Sequence, residues 1–334
     1  MLRFIEKCGQ RFSIFLTYFI LFSITASAHA DETALKKASF IPHWAPQAQF
    51  AGYYVAYEKE IYRKYGIDLT IIEGGPDRLA SDYLREGKAD FATSWLSTAI
   101  QKKAHGVSLV NIAQMVQRSA LMLVARKSSG IQKPEDMNGK KVGLWDADYQ
   151  LQPRALFRKY NLNVCVVPQS FSVNLFLRGG VDIATVMWYN EYHTIINSGL
   201  NPDEITSFFF HDYGLNFPED GIYTMEDTLI REPELCCAFV NASLEGWKYT
   251  FDHPEEALDI MMRYAAQAHL PSNRIHQKWM LERMKDLILP GNSYMPMGML
   301  LPSDYDRVAR TLKECGLIDT VPDFAAFYRK CGGQ

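Results

Sequence analysis

Three short segments of this 334-residue chain bring flat rings together with a few polar groups. The first is His43-Trp44-Ala45-Pro46-Gln47-Ala48-Gln49, running into Tyr53-Tyr54. The second is Thr93-Ser94-Trp95, and the third is Met187-Trp188-Tyr189-Asn190-Glu191. Such rings stack on planar molecules, each pair contributing ~0.5–1.5 kcal/mol beyond its buried area. Glu191, Asn190 and Gln49 can hydrogen-bond ring nitrogens and an amino group. No Lys or Arg falls in the three segments, so an anion would face Glu191 uncompensated. The chemistry these residues suit is capture of a small neutral or weakly cationic heteroaromatic. The expected contacts are Trp44, Gln49, Tyr53, Ser94, Trp95, Tyr189, Asn190 and Glu191. Asp146, beside Trp145, and Tyr223, in the stretch from Asp220, are less direct contributors. Phe50 and Tyr54 follow helical apolar spacing and read as core, which leaves Tyr53 for the pocket. Neighbouring strand residues alternate, so Trp188 is expected to enter the sheet and Tyr189 to leave it.

Catalytic constellations are weak by comparison. His-x-His, His-Glu-x-x-His, Cys-x-x-Cys and Gly-x-Ser-x-Gly are all absent from the sequence. Gly74-Gly75-Pro76 is too short for a phosphate loop and reads as a strand-to-helix turn. His43 and His193 are in reach of a ligand but read first as structural or surface groups. No metal or cofactor is expected.

Positioning such segments requires an α/β scaffold. Strand-like stretches at 38–41, 67–72, 89–92, 109–116 and 120–125 alternate with helical spacing at 47–65, 77–86 and 96–105. A second set has strands at 141–145, 164–167 and 183–188, with helices at 153–160, 172–178 and 191–198. The last third is helical, at 235–252, 254–268, 277–289, 302–315 and 324–330. Ligands in open α/β sheets bind outside the carboxyl ends of strands, where the three segments fall.

Residues 1–30 carry Arg3, Lys7 and Arg11, then an apolar run over 12–24, then Ala28-His29-Ala30. This is the layout of a cleaved secretory signal. The run is shorter than the ~20 residues a membrane span needs. Removing it leaves 32 basic and 37 acidic residues and no basic tract. That excludes the electrostatic footprint of a nucleic-acid binder. Five cysteines remain, Cys165, Cys236, Cys237, Cys315 and Cys331. Cys315 with Cys331 is one conceivable bridge, and Cys236-Cys237 reads as helix packing.

Several segments together resemble one family. They are Pro46-Gln47-Ala48-Gln49-Phe50-Ala51-Gly52-Tyr53-Tyr54-Val55-Ala56, Tyr65-Gly66-Ile67-Asp68-Leu69 and Gly87-Lys88-Ala89-Asp90-Phe91. Further along come Met137-Asn138-Gly139, Gly180-Val181-Asp182-Ile183-Ala184, Tyr189-Asn190-Glu191-Tyr192, Glu219-Asp220-Gly221-Ile222-Tyr223 and Pro233-Glu234 to Gly246-Trp247. In this order, over 38–265, they resemble periplasmic solute-binding proteins of the thiamine-pyrimidine-synthase-like and sulfonate-binding kind. The resemblance implies a type II periplasmic-binding-protein fold, with two α/β lobes, a two-strand hinge and ligand in the cleft. Crossings are expected near 125–130 and 220–224. Lobe 1 is then 31–125 plus 224–334, and lobe 2 is 126–223. It also implies a monomeric periplasmic receptor for an ABC permease and ATPase, taking a thiamine pyrimidine precursor such as formylaminopyrimidine or hydroxymethylpyrimidine. A flavin is a second flat ligand, and reporting to a membrane sensor a second role.

The same superfamily holds the fungal thiamine-pyrimidine synthase, which uses a lysine, a histidine and a cysteine run. Aligned on Gly87-Lys88-Ala89-Asp90, Ser94 stands where that lysine would be and Thr98 where the histidine would be. The segment matching the cysteine run, 216–225, has no Cys. Without the amine no imine with pyridoxal phosphate can form, so a binding protein is expected rather than the enzyme.

Overall fold

The computed structural model describes residues 35–291 and 296–331. The expected signal segment, 1–30, lies outside the described residues. Among the described residues, ten strands make two mixed sheets of five. The strands are β1 Lys36–Ile41, β2 Ile67–Ile71, β3 Phe91–Trp95, β4 Leu109–Gln114, β5 Leu121–Arg126, β6 Lys141–Leu144, β7 Cys165–Pro168, β8 Ile183–Met187, β9 Ile205–Phe209 and β10 Asp220–Met225. The first sheet runs β2-β1-β3-β10-β4 and the second β7-β6-β8-β5-β9. In the first, β2, β1 and β3 are parallel, and β10 enters antiparallel between β3 and β4. In the second, β7, β6 and β8 are parallel, and β5 enters antiparallel between β8 and β9. In each lobe, the antiparallel strand is the one the chain reaches just after crossing over. Nearly every residue of β4, β5, β8 and β10 is buried, as continuous apolar runs in helix-covered sheets require.

The helices are α1 Ala51–Glu58, α2 Ile61–Lys64, α3 Ala80–Arg85, α4 Leu96–Ala104, α5 Leu151–Lys159, α6 Asn174–Leu177, α7 Glu191–Asn197, α8 Glu226–Arg231, α9 Pro233–Asp252, α10 Pro254–Gln267, α11 Arg274–Ile288, α12 Pro302–Glu314 and α13 Phe324–Phe327. The expected helix over 47–65 is broken at Glu60, which takes the left-handed conformation (φ 55°) and separates α1 from α2. A 3-10 turn, Ala48–Phe50, precedes α1. The long helix α9 packs on α1 through two glycines. A Cβ on Gly52 would enter the Trp247 ring, and one on Gly246 would strike Gly52 O and Ala56. β9 was not expected from the sequence. Its alternating burial is interrupted, which weakens the period-two signal.

The crossings lie earlier than the sequence reading places them. Leu121–Arg126 pairs with β8 and β9, so the first crossing spans 115–120 rather than 125–130. Asp220–Met225 already belongs to the first sheet, which sets the return crossing at 214–219. The two passages are stitched together. Met115 N and Val116 N donate to Asp220 O (3.1 and 3.0 Å). Glu219 Oε1 accepts from Ala120 N (2.7 Å), Ser119 Oγ (2.9 Å) and Leu121 N (3.1 Å). Asn216 accepts from Ser119 N and donates to Gln117 O.

The cysteines correct a second expectation. Cys315 and Cys331 are both free. Arg158 Nη2 lies 3.0 Å from Cys315 Sγ, while Cys331 hydrogen-bonds Cys237. Cys236 is fully buried in α9, as packing predicts. Among the described residues, no helix is long and apolar enough to cross a membrane.

Candidate functional site

The loops leaving the carboxyl ends of β1, β3, β6, β7 and β8 meet between the lobes, where open α/β sheets bind ligands. They line a narrow chamber of about 40 Å³, bordered by His43, Trp44, Gln47, Gln49, Trp95, Trp145, Tyr149, Phe171, Met187, Tyr189, Asn190 and Glu191. A larger space of about 320 Å³ adjoins it, reaching Arg78, Ser81, Thr93, Ser94, Thr98 and Asp146. His43, Trp44, Trp95, Tyr149 and Phe171 border both.

The chamber walls are aromatic and set edge to face. Trp44 meets Phe171 at 5.0 Å and 71°, Trp95 meets Tyr149 at 4.8 Å and 81°, and Trp145 meets Tyr149 at 5.5 Å and 82°. Aromatic walls of this kind suit a flat guest that can stack on or edge against them.

Polar groups enter from both lobes. On the first, Gln47 Nε2 donates to Gln49 Oε1 (2.7 Å) and Gln49 Nε2 to Asp220 Oδ2 (2.8 Å). His43 N donates to Thr93 Oγ1, and the Thr93 hydroxyl lies 2.9 Å from His43 Nδ1. With Nδ1 accepting from that hydroxyl, His43 carries its proton on Nε2, which faces Asp220 Oδ1 at 3.6 Å. On the second lobe, Glu191 opens α7, where the helix N-terminus favours negative charge. Its Oε2 accepts from Met187 N (3.0 Å) and its Oε1 from Asn190 Nδ2 (2.8 Å).

Burial governs the acids. It pushes Glu191 up to about 7, against the pull of the Met187 and Glu191 N–H groups. Glu219, at the crossing, is pushed up to about 8 by burial and then by the Asp220 charge. Asp220 is raised by burial, and His43 and Gln49 oppose the rise. At neutral pH Glu191 is therefore poised between donor and acceptor. No Lys or Arg borders the inner chamber. Among the described residues, no cluster of His, Cys, Asp or Glu has the arrangement to hold a metal ion.

Of the ten residues expected from the sequence, eight border this cleft. Trp44, Gln49, Trp95, Tyr189, Asn190 and Glu191 line the chamber, and Ser94 and Asp146 line the outer space. Two do not. Tyr53 is buried between Phe40 (4.8 Å) and Trp247 (5.9 Å), because the 3-10 turn rotates that face of α1 into the first-lobe core. Tyr223 points to the other face of β10, against Phe327 in the core beneath α12. Trp145, Tyr149 and Phe171 complete the walls. Tyr149 and Phe171 were missed, because each lies several residues past the end of its strand, β6 or β7, where no local signal marks a wall-forming ring.

These loops and their order along the chain are those of a known family. A family model described as NMT1/THI5 like matches residues 47–257. The chain belongs to the NMT1/THI5-like family. Among its relatives, it is 24% identical to the riboflavin-binding protein RibY of Chloroflexus aurantiacus, over 73% of this chain and 71% of that one. It is 22% identical to the formylaminopyrimidine-binding protein of Halalkalibacterium halodurans, over 79% and 82%. It is 23% identical to the 4-amino-5-hydroxymethyl-2-methylpyrimidine phosphate synthase of Legionella pneumophila, over 87% and 90%. The periplasmic aliphatic sulphonate binding protein SsuA of Escherichia coli superposes with a TM-score of 0.68 at 15% identity, covering 90% of this chain and 94% of that one. The fold is that of periplasmic binding proteins, with two α/β lobes.

Proposed function

We propose that this family member is the substrate-binding protein of an ABC importer and captures a small planar heteroaromatic. The observation that carries this reading is the chamber itself. Aromatic walls from both lobes enclose Gln49, Asn190 and a burial-poised Glu191, and no cation borders it. A thiamine pyrimidine precursor, formylaminopyrimidine or hydroxymethylpyrimidine, offers the flat ring, ring nitrogens and amino group that such a set can hold. The Halalkalibacterium relative is named for formylaminopyrimidine, which supports that choice. A flavin is the second reading. The outer space of about 320 Å³ gives room for a chain attached to the ring, and the Chloroflexus relative is named for riboflavin.

Binding is preferred over pyrimidine synthesis. Ser94 and Thr98 border the outer cleft at the places the resemblance gives to the synthase lysine and histidine. A hydroxyl there cannot form an imine. The receptor reading places a monomer in the periplasm, delivered by residues 1–30 and docking on a permease and its ATPase.

Isothermal titration with formylaminopyrimidine, hydroxymethylpyrimidine and riboflavin tests the ligand. Saturable binding of one of them is expected, and no heat from any at millimolar concentration sinks the choice. Pyridoxal phosphate absorbance on the purified chain, with pyrimidine formed on adding iron, would instead favour the enzyme. Periplasmic extracts that contain a chain starting near Asp31 would support the location, and a chain retained in the cytoplasm would remove it.

A further inference from the structure

On its second-lobe side the chamber continues into a line of hydrogen bonds that crosses to the first lobe. Glu191 Oε1 accepts from Asn190 Nδ2 at 2.8 Å. Asn190 Oδ1 faces His276 Nε2 at 2.8 Å, and His276 Nδ1 faces His193 Nδ1 at 2.9 Å. His193 is on α7, beside β8 of the second sheet. His276 is on α11, which holds the first-lobe loop: its Gln277 Oε1 accepts from Ala48 N at 2.7 Å. The His193 ring stacks on Trp279 of α11 (4.9 Å, 11°), and Trp279 Nε1 donates to Trp188 O (3.0 Å).

One arrangement of protons satisfies the line from Glu191 through Asn190 and His276 to His193. Asn190 spends its amide protons toward Glu191, so its oxygen accepts and His276 must carry N–H at Nε2. A neutral His276 then has a bare Nδ1. His193 must supply the proton between the two rings and is the Nδ1–H tautomer. Asn197 Nδ2 lies 3.2 Å from the same His193 nitrogen, and the assignment requires that amide to be flipped so that its oxygen accepts from Nδ1–H. A second proton on His276 would set N–H against N–H at 2.9 Å.

We propose that His276 is a positioning residue of the cleft, holding Asn190 and through it Glu191, and that with His193 it forms a latch between the lobes that releases in acid. The role in ligand capture rests on the function proposed above, but the latch does not. The charged groups on the packed elements leave it uncompensated. On α7 the nearest acid is Glu191, already engaged by Asn190 and Met187. On α11, Arg283 lies over Trp188 and Trp279, while Arg274 and Lys278 pair with Glu255, and Arg274 also with Asp259, on α10. Burial holds both imidazoles below their ordinary 6.5, and His276 is lowered further by His193. The latched form thus binds fewer protons. It is complete above pH 6.5 and is lost as pH falls through the lowered values.

Ring-nitrogen NMR of the full chain without ligand, from pH 8 to 5, tests the latch. His276 is expected as Nε2–H and His193 as Nδ1–H at pH 8, with both protonating together below 6.5. Two Nε2–H rings titrating independently near 6.5 would overturn it. Formylaminopyrimidine affinity at pH 7 and 5.5, below the range in which loss of the Glu191 proton weakens binding, tests the positioning role. Wild type should lose at least tenfold at the lower pH. H193N/H276Q, which keeps both donors without a titrating ring, should lose less than threefold. An equal loss in both proteins contradicts the proposal. Failure of the wild type to bind at pH 7 strikes the functional reading alone, and the NMR still decides the latch.

Discussion

At the scale of single residues, the proposed aminopyrimidine would share one proton with Glu191. An aminopyrimidine presents a ring nitrogen beside an amino group. A carboxyl facing that edge accepts from the amine and shares one proton with the ring. The complex therefore holds a proton that the free partners release once pH exceeds the raised value of Glu191, about 7. Above that value affinity should fall by up to tenfold per pH unit. Glu191→Gln should weaken formylaminopyrimidine binding by about tenfold, in line with ~1.5–3 kcal/mol for a hydrogen bond to a charged group. It should also abolish the slope between pH 7 and 8.5. Calorimetry across that range checks both. Glu219 gives a stability effect of opposite origin. Its raised value means the folded state binds a proton the unfolded chain releases, so its contribution is complete below about 4.5 and lost as pH rises through about 8. Glu219→Gln keeps the accepting Oε1, and its melting temperature should fall less between pH 5 and 8 than that of the wild type.

At the scale of elements, close approach and stitching carry the architecture. Gly52→Ala should cost about 1–3 kcal/mol through overpacking against Trp247, read as a lower denaturant midpoint with an unchanged slope. Most strands and the long helices were legible in the sequence, because β1, β4, β5, β6, β8 and α9 to α12 carry strong apolar patterns. The crossing points were not. Leu121–Arg126 reads as a strand in either lobe, and only its pairing with β8 and β9 assigns it. The site shows the same division. Trp44, Tyr189 and Glu191 were found because they sit at strand ends with mixed aromatic and polar neighbours. Tyr53 misled because helical spacing alone does not fix the rotation of α1, which the turn Ala48–Phe50 sets. Tyr149 and Phe171 were invisible because nothing local distinguishes a wall-forming ring in a loop from a surface one.

At the scale of the whole molecule, the two lobes share the chamber, so a ligand held there touches both. A ligand that bridges both lobes stabilises the folded chain by mass action, about 2.7 kcal/mol at a hundredfold excess over Kd. The true ligand should therefore raise the melting temperature, and the increment should shrink in Trp44→Ala and Tyr189→Ala, which remove a wall from each lobe. The most direct measurement is calorimetric titration of the purified chain with formylaminopyrimidine, hydroxymethylpyrimidine and riboflavin, in parallel with an alkanesulfonate. The account predicts one-to-one binding of a flat heteroaromatic, lost at least tenfold in Tyr189→Ala, and no heat with the sulfonate. Saturable sulfonate binding with none of the three heteroaromatics engaged would contradict it.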